Sequence, residues 1–137
     1  LNGYTRTWQS MTATIEIFKY EQNVDYYAAG ELIFEAGDPG RVMYVVQEGE
    51  VDVLANGRVI DTVTAGGIFG EMALIDRSPR SASVMARTDC RVVPLDEARF
   101  MQHVHRTPFF ALQVMRIMTE RLRRRTLEVG QGVSGPA

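Results

Sequence analysis

Two patterns of hydrophobic and polar positions divide this chain of 137 residues. From residue 15 to about 95, short apolar runs alternate with turn-forming residues. Glu31–Phe34, Val42–Gln47, Val51–Leu54 and Val59–Ile60 are such runs, separated by Gly37-Asp-Pro-Gly40, Glu48-Gly49 and Asn56-Gly57. Asn-Gly between two apolar runs predicts a tight hairpin, because both residues of that turn need positive φ. Further strands are expected at Ala82–Ala86 and Arg91–Leu95. Short strands at this spacing predict a small barrel or sandwich.

From Asp96 the period becomes helical. Asp96 caps a short helix expected to end near His103, and Thr107-Pro108 opens a second, with threonine as cap and proline at the first helical position. That helix is expected to reach about Leu127 and to stop near Gly130. The reading is one domain over 15–128, with a β portion at about 15–95 and helices at about 96–128. Residues 1–14 and 129–137 read as flexible ends, and the first ten residues, ahead of Met11, read as an appendage or part of a longer parent chain.

Composition narrows the function. With 45% hydrophobic and 23% charged residues the chain has the make-up of a globular domain, and no apolar run is long enough to span a bilayer. No signal-peptide layout is evident, so a cytoplasmic location is the default expectation. The single cysteine, Cys90, forms no internal disulfide and supplies no Cys-rich zinc site. Lys19 is the only lysine and lies far from any glycine-rich turn, which excludes the Gly-Lys-Ser/Thr phosphate loop.

The chemistry concentrates in Phe69–Val84, which reads FGEMALIDRSPRSASV. Gly66, Gly67 and Gly70 allow close backbone approach, and Glu71–Ile75 suits one helical turn whose N–H groups favour an anion. Nine residues after Glu71 comes Arg80, whose planar fork grips two phosphate oxygens as a lysine cannot. A carboxylate and a guanidinium offered to one pocket suit a ligand with hydroxyls on one side and a phosphate on the other. This segment closely resembles the phosphate-binding cassette of cyclic-nucleotide-binding domains, as found in the cAMP receptor protein, kinase regulatory subunits and nucleotide-gated channels. The runs Ala29–Gly40 and Gly49–Val53 resemble the same family's β-roll, and the likeness covers about residues 24–125.

The resemblance implies a mainly β fold: an eight-stranded, jelly-roll-like β-roll with a short cassette helix and C-terminal α-helices. It implies that Glu71 accepts a hydrogen bond from the ribose 2′-OH and that Arg80 neutralises the cyclic phosphate. Backbone N–H groups of Ala73 and Ser81 complete the cradle, with Gly70, Met72 and Ala82 beside them. The expected ligand is cAMP. Because Ser81 carries a hydroxyl where a threonine reads guanine in many cGMP sites, cGMP stays open. The family places a lid from the last helix over the base, and Arg123, Arg124, Arg125 and Thr126 are the candidates.

On the last helix, Ala111, Met115, Met118 and Leu122 follow 4-3-4 spacing beside a second apolar row of Phe110, Val114 and Ile117. So wide a band needs cover on two sides. In the cAMP receptor family that cover is a second copy, which implies a homodimer through Met115, Met118 and Leu122. The alternative is a helix fully buried in a monomer.

DNA binding by this chain is not expected, since no helix-turn-helix segment follows the long helix and net charge is −2. The reading is a sensor that signals to an unknown effector protein, and not an enzyme. Two alternatives stand beside it. One is a cupin-like metal enzyme using His103 and His105, although residues two apart on a helix point to different faces. The other is a structural dimerisation domain with a dead site, in which Glu71 and Arg80 merely pair with each other.

Overall fold

The computed structural model describes residues 13–132. Among these residues eight strands form two antiparallel four-stranded sheets. In chain order they are β1 Asp25–Tyr27, β2 Leu32–Phe34, β3 Met43–Glu48, β4 Val51–Ala55, β5 Arg58–Val63, β6 Ile68–Phe69, β7 Ser83–Ala86 and β8 Cys90–Leu95. One sheet has the order β1-β8-β3-β6 and the other β2-β7-β4-β5. Among the described residues three helices accompany them: α1 Glu71–Ile75, α2 Glu97–Arg106 and α3 Phe109–Gly132. The β4–β5 hairpin turns on Asn56 and Gly57, with φ of 54° and 74°, as the Asn-Gly signal predicts. The strands not foreseen, β1 and β6, have three and two residues and are too short to show a period.

The first sheet is covered on both faces. Alternation along β3 and β8 sends Met43, Val45, Val93 and Leu95 to one side, where they pack with Ile15, Phe18, Phe110, Val114 and Ile117. Val46, Cys90 and Val92 point to the other side and meet Val51, Val63 and Val84 of the second sheet. A slip of one residue would exchange the two sets, so the pattern holds the register. This double burial explains why β3 and β8 read as nearly continuous apolar runs.

The helical end follows the caps. Asp96 accepts a hydrogen bond from the Arg99 N–H at 2.8 Å and starts α2. α2 continues three residues beyond the expected His103. α3 is helical through Gly132, so Gly130 lies inside it and is not its stop. Burial of Phe110, Val114 and Ile117 holds α3 on the sheet, at about 1.5–3 kcal/mol for each side chain. Residue 13 is tied to the same helix: the Ala13 N–H donates to Glu120 Oε1 at 3.2 Å, and Gln113 Nε2 donates to the Thr14 carbonyl at 3.1 Å. Residues 1–12 and 133–137, most of the expected loose ends, lie outside the described residues. Among the described residues no helix is long and apolar enough to cross a membrane.

His103 packs edge-on against Phe18, with ring centroids 4.7 Å apart. Burial first, then Arg99 and Arg106, hold its pKa below the usual value, with Glu21 opposing. The folded state therefore binds this proton less readily than the unfolded chain, and the packed neutral ring is disfavoured as pH falls below about 6.5. The expected outcome is a loss of urea stability on acidification that His103→Phe, which keeps a ring and does not titrate, reduces. Identical pH profiles for the two proteins would contradict this.

Candidate functional site

The segment that predicted the chemistry folds as one unit. Strand β6 ends at Phe69, and Gly70 turns the chain into α1 with φ of 77°, a left-handed conformation that glycine adopts without strain. The first turn of α1 leaves its backbone N–H groups without intrahelical partners. After Asp76, whose carboxylate accepts from the Ser78 N–H at 3.0 Å, the chain returns to Arg80. The β2–β3 turn fixes Arg80 through its backbone: its N–H donates to the Asp38 carbonyl at 2.9 Å, and its carbonyl accepts from the Gly37 N–H at 2.7 Å.

The Arg80 side chain is buried, with 7% of the residue exposed, and it is the one buried charged residue among those described. Its guanidinium stacks over the Phe34 ring at 4.0 Å, and Nη1 donates to the Gly70 carbonyl at 3.1 Å. Nε has no hydrogen-bond partner, and no carboxylate forms an ion pair with the group among the described residues. Burial pulls its pKa below the usual arginine value, while Tyr44, Asp38 and Glu71 act in the opposite direction. An arginine stays protonated regardless. A cation held away from water without a contacting counterion is costly, and it marks a place for an anion.

Arg80 faces a cavity of about 250 Å³. Gly70, Ser81 and Ala82 line it beside the guanidinium, and Glu71, Met72 and Ala73 come from α1, so the structure brings together all seven cassette residues named from sequence. Val53, Ile60, Asp61 and Val84 form the second-sheet wall, and Arg121 and Arg125 enter from α3.

Glu71 does not pair with Arg80. Its Oε1 accepts from Arg121 Nη1 at 2.9 Å, and both side chains are largely buried. Arg121 Nη2 also donates to the Ile68 carbonyl. Sequence reasoning missed Arg121 because it looked for a lid further along. The available signal was spacing: Phe110, Val114 and Ile117 are the buried row, and Arg121 continues it at the next four-residue step. Of the four lid candidates, Arg125 lines the cavity and Arg124 lies 3.7 Å from Asp61. Arg123 and Thr126 are exposed and do not line it, and the Thr126 hydroxyl bonds back to the Leu122 carbonyl at 2.9 Å. His103 and His105 are far from this arrangement in role: the first packs on Phe18, the second is exposed, and among the described residues no cluster of three metal-ligating side chains occurs.

Comparison with known proteins decides the family. Residues 24–107 match the family model described as the cyclic nucleotide-binding domain. The chain belongs to the cyclic nucleotide-binding domain family. Over 76 residues it is 41% identical to a cAMP-dependent protein kinase regulatory subunit of Aspergillus niger, an alignment covering 54% of this chain and 18% of that protein. The cyclic nucleotide-binding domain thus spans under a fifth of the curated relatives it matches. Among solved structures, the Thermus thermophilus catabolite activator protein is similar with TM-score 0.70 and 31% identity, over 79% of this chain and 53% of that one. The cAMP-bound PfPKA-R (141-441) is similar with TM-score 0.63 and 27% identity, over 79% and 36% respectively. These likenesses agree with the two-sheet β-roll and its C-terminal helices.

Gly40 of the domain presses directly on Arg80: a Cβ there would lie 2.2 Å from Nε. Gly40→Ala is therefore expected to cost about 1–3 kcal/mol in urea unfolding, as overpacking does. In the Arg80→Ala background the same change should cost much less, since the guanidinium is gone. Equal costs in both backgrounds would show that Gly40 answers to something else.

Proposed function

We propose that the chain binds one cyclic nucleotide, cAMP in preference to cGMP, and is a regulatory sensor rather than an enzyme. The observation that carries this is the buried Arg80 guanidinium, stacked on Phe34 and without an ionic partner among the described residues, in the wall of a cavity that Glu71 also lines. A cyclic phosphate has a single charge and two exocyclic oxygens, which match the guanidinium fork. Small residues at 70, 81 and 82 leave room for it, and the N–H groups of Ala73 and Ser81 serve as further donors. With one Glu71 oxygen held by Arg121, the other accepts the ribose 2′-OH. The name of the kinase regulatory relative and the cAMP bound in the PfPKA-R structure support cAMP as the nucleotide. A dead site closed by a Glu71–Arg80 pair finds no support, because Glu71 is engaged elsewhere.

Occupancy reaches α3 through the same carboxylate. Arg121 connects the cassette to the last helix, so a nucleotide that draws on Glu71 contacts one arrangement of α3 better than another and shifts the population toward it. The signal then passes to an effector protein in the cytoplasm. A second copy of this chain is the proposed cover for the outer face of α3. Met115 and Leu122 of the expected seam are exposed, at 54% and 66%, and Leu112 joins them at 40%. Met118 instead packs partly against the core, so the seam turns toward Leu112 and away from Ala111 and Met118.

Two outcomes test these readings. Calorimetric titration of nucleotide-free protein should show saturable 1:1 binding of cAMP that Arg80→Lys weakens about 10- to 1000-fold, since a point charge does not reproduce the bidentate grip. Unchanged affinity would remove Arg80 from the site. Light scattering should give a dimer for the wild type and a monomer for Met115→Glu/Leu122→Glu. A monomeric wild type would refute the dimer.

A further inference from the structure

We propose that Asp61 reads the 6-position of the purine, accepting from the 6-amino group of adenine and repelling the 6-oxo group of guanine. This rests on the cyclic-nucleotide reading and deepens it by naming the residue that sets the base preference.

The cavity has two carboxylates among its described lining residues, Glu71 and Asp61. With Glu71 and Arg80 assigned to the ribose and phosphate, and Arg121 engaged with Glu71, the charged residues of the described lining left for the base are Asp61 of β5 and Arg125 of α3. Asp61 is oriented. Its Oδ1 accepts from the Thr62 N–H at 2.9 Å, while Oδ2 lies 3.7 Å from Arg124 Nη2, too far for a hydrogen bond to fill its acceptor capacity. Its side chain is 30% exposed, partly screened from water but not sealed.

An ionised carboxylate only accepts hydrogen bonds. Adenine has a single exocyclic donor, the 6-amino group, so Asp61 can engage that base through its 6-position. Guanine in the same pose sets a carbonyl oxygen against the carboxylate, acceptor against acceptor. Specificity then arises from a repulsive element as well as an attractive one. Arg125, which also lines the cavity, provides a donor for an adenine ring nitrogen. Ile60, half-exposed on the same strand, offers an apolar surface for the ring.

The test is calorimetric titration of nucleotide-free wild type, Asp61→Ala and the near-isosteric Asp61→Asn with cAMP, cyclic IMP and cGMP. Cyclic IMP carries the 6-oxo group without the 2-amino group and so isolates the position in question. Asp61→Ala should weaken cAMP about 10- to 100-fold, the scale of a hydrogen bond to a charged group, and leave cyclic IMP and cGMP unchanged or tighter. Asp61→Asn, whose amide both donates and accepts, should narrow the gap between 6-amino and 6-oxo ligands. Equal losses for all three nucleotides, or a loss for cGMP larger than for cAMP, would overturn the proposal while leaving cyclic-nucleotide binding intact. Silence of the wild type toward all three would overturn that underlying reading and this proposal together.

Discussion

Removing one guanidinium from water organises the working end of this molecule. Arg80 is held by a ring stack on Phe34, a hydrogen bond to the Gly70 carbonyl and backbone bonds to the turn at Gly37 and Asp38. Each of these partners is constrained in return. Gly40 has no room for a side chain, and Gly70 must take a left-handed conformation so that its carbonyl reaches Nη1 while the next residues begin α1. The loop from β2 to β3, the cassette and the inner face of the second sheet are thereby coupled through one charged group. A buried cation without an ionic partner destabilises the protein in isolation, and an anion in the adjoining cavity relieves that cost. Affinity and local stability are in this sense two readings of the same interaction.

The rest of the fold makes such a site possible by supplying rigidity around it. The first sheet is buried on both faces, against the helices on one side and the second sheet on the other. β6 belongs to that sheet and leads straight into the cassette, so Glu71 is positioned by the same packing that seats α3. Arg121 closes the circuit by bonding Glu71 and the Ile68 carbonyl from the helix. A second, looser contact joins Arg124 to Asp61 on the edge strand. The last helix is thus attached by a buried apolar row on one turn and by charge on the next. Apolar burial is non-directional, whereas the ionic contacts depend on geometry, which makes the second half the part that a ligand can shift.

Much of this was legible in the amino-acid sequence, and for identifiable reasons. Asn56-Gly57 specified its hairpin because few residues adopt two successive positive φ angles, and Asp96 announced α2 because its side chain can satisfy a free backbone N–H. The cassette was recognisable because Gly70, Glu71 and Arg80 lie within a dozen residues, where local spacing alone constrains what they share. β1 and β6 were missed because strands of two or three residues are created by their partners, β8 and β3, and have no periodic signal of their own. The end of α3 was misplaced because a glycine weakens a helix without obliging it to stop.

The sequence by itself determined the resemblance to the family, the eight-stranded β-roll that it implies, and the placing of a carboxylate and a guanidinium in one short segment. Only the tertiary structure decided which groups those two meet. Glu71 turned to Arg121, fifty residues away, and Arg80 to the ring of Phe34. It also decided that Arg125 and Asp61 share the cavity while Arg123 and Thr126 do not line it, and that Leu112 joins Met115 and Leu122 on the open face of α3. The reason is physical. Local backbone preferences act over a few residues and are written in composition and spacing, whereas the partner of a long charged side chain depends on where the helix lies on the sheet, and many packed residues set that together.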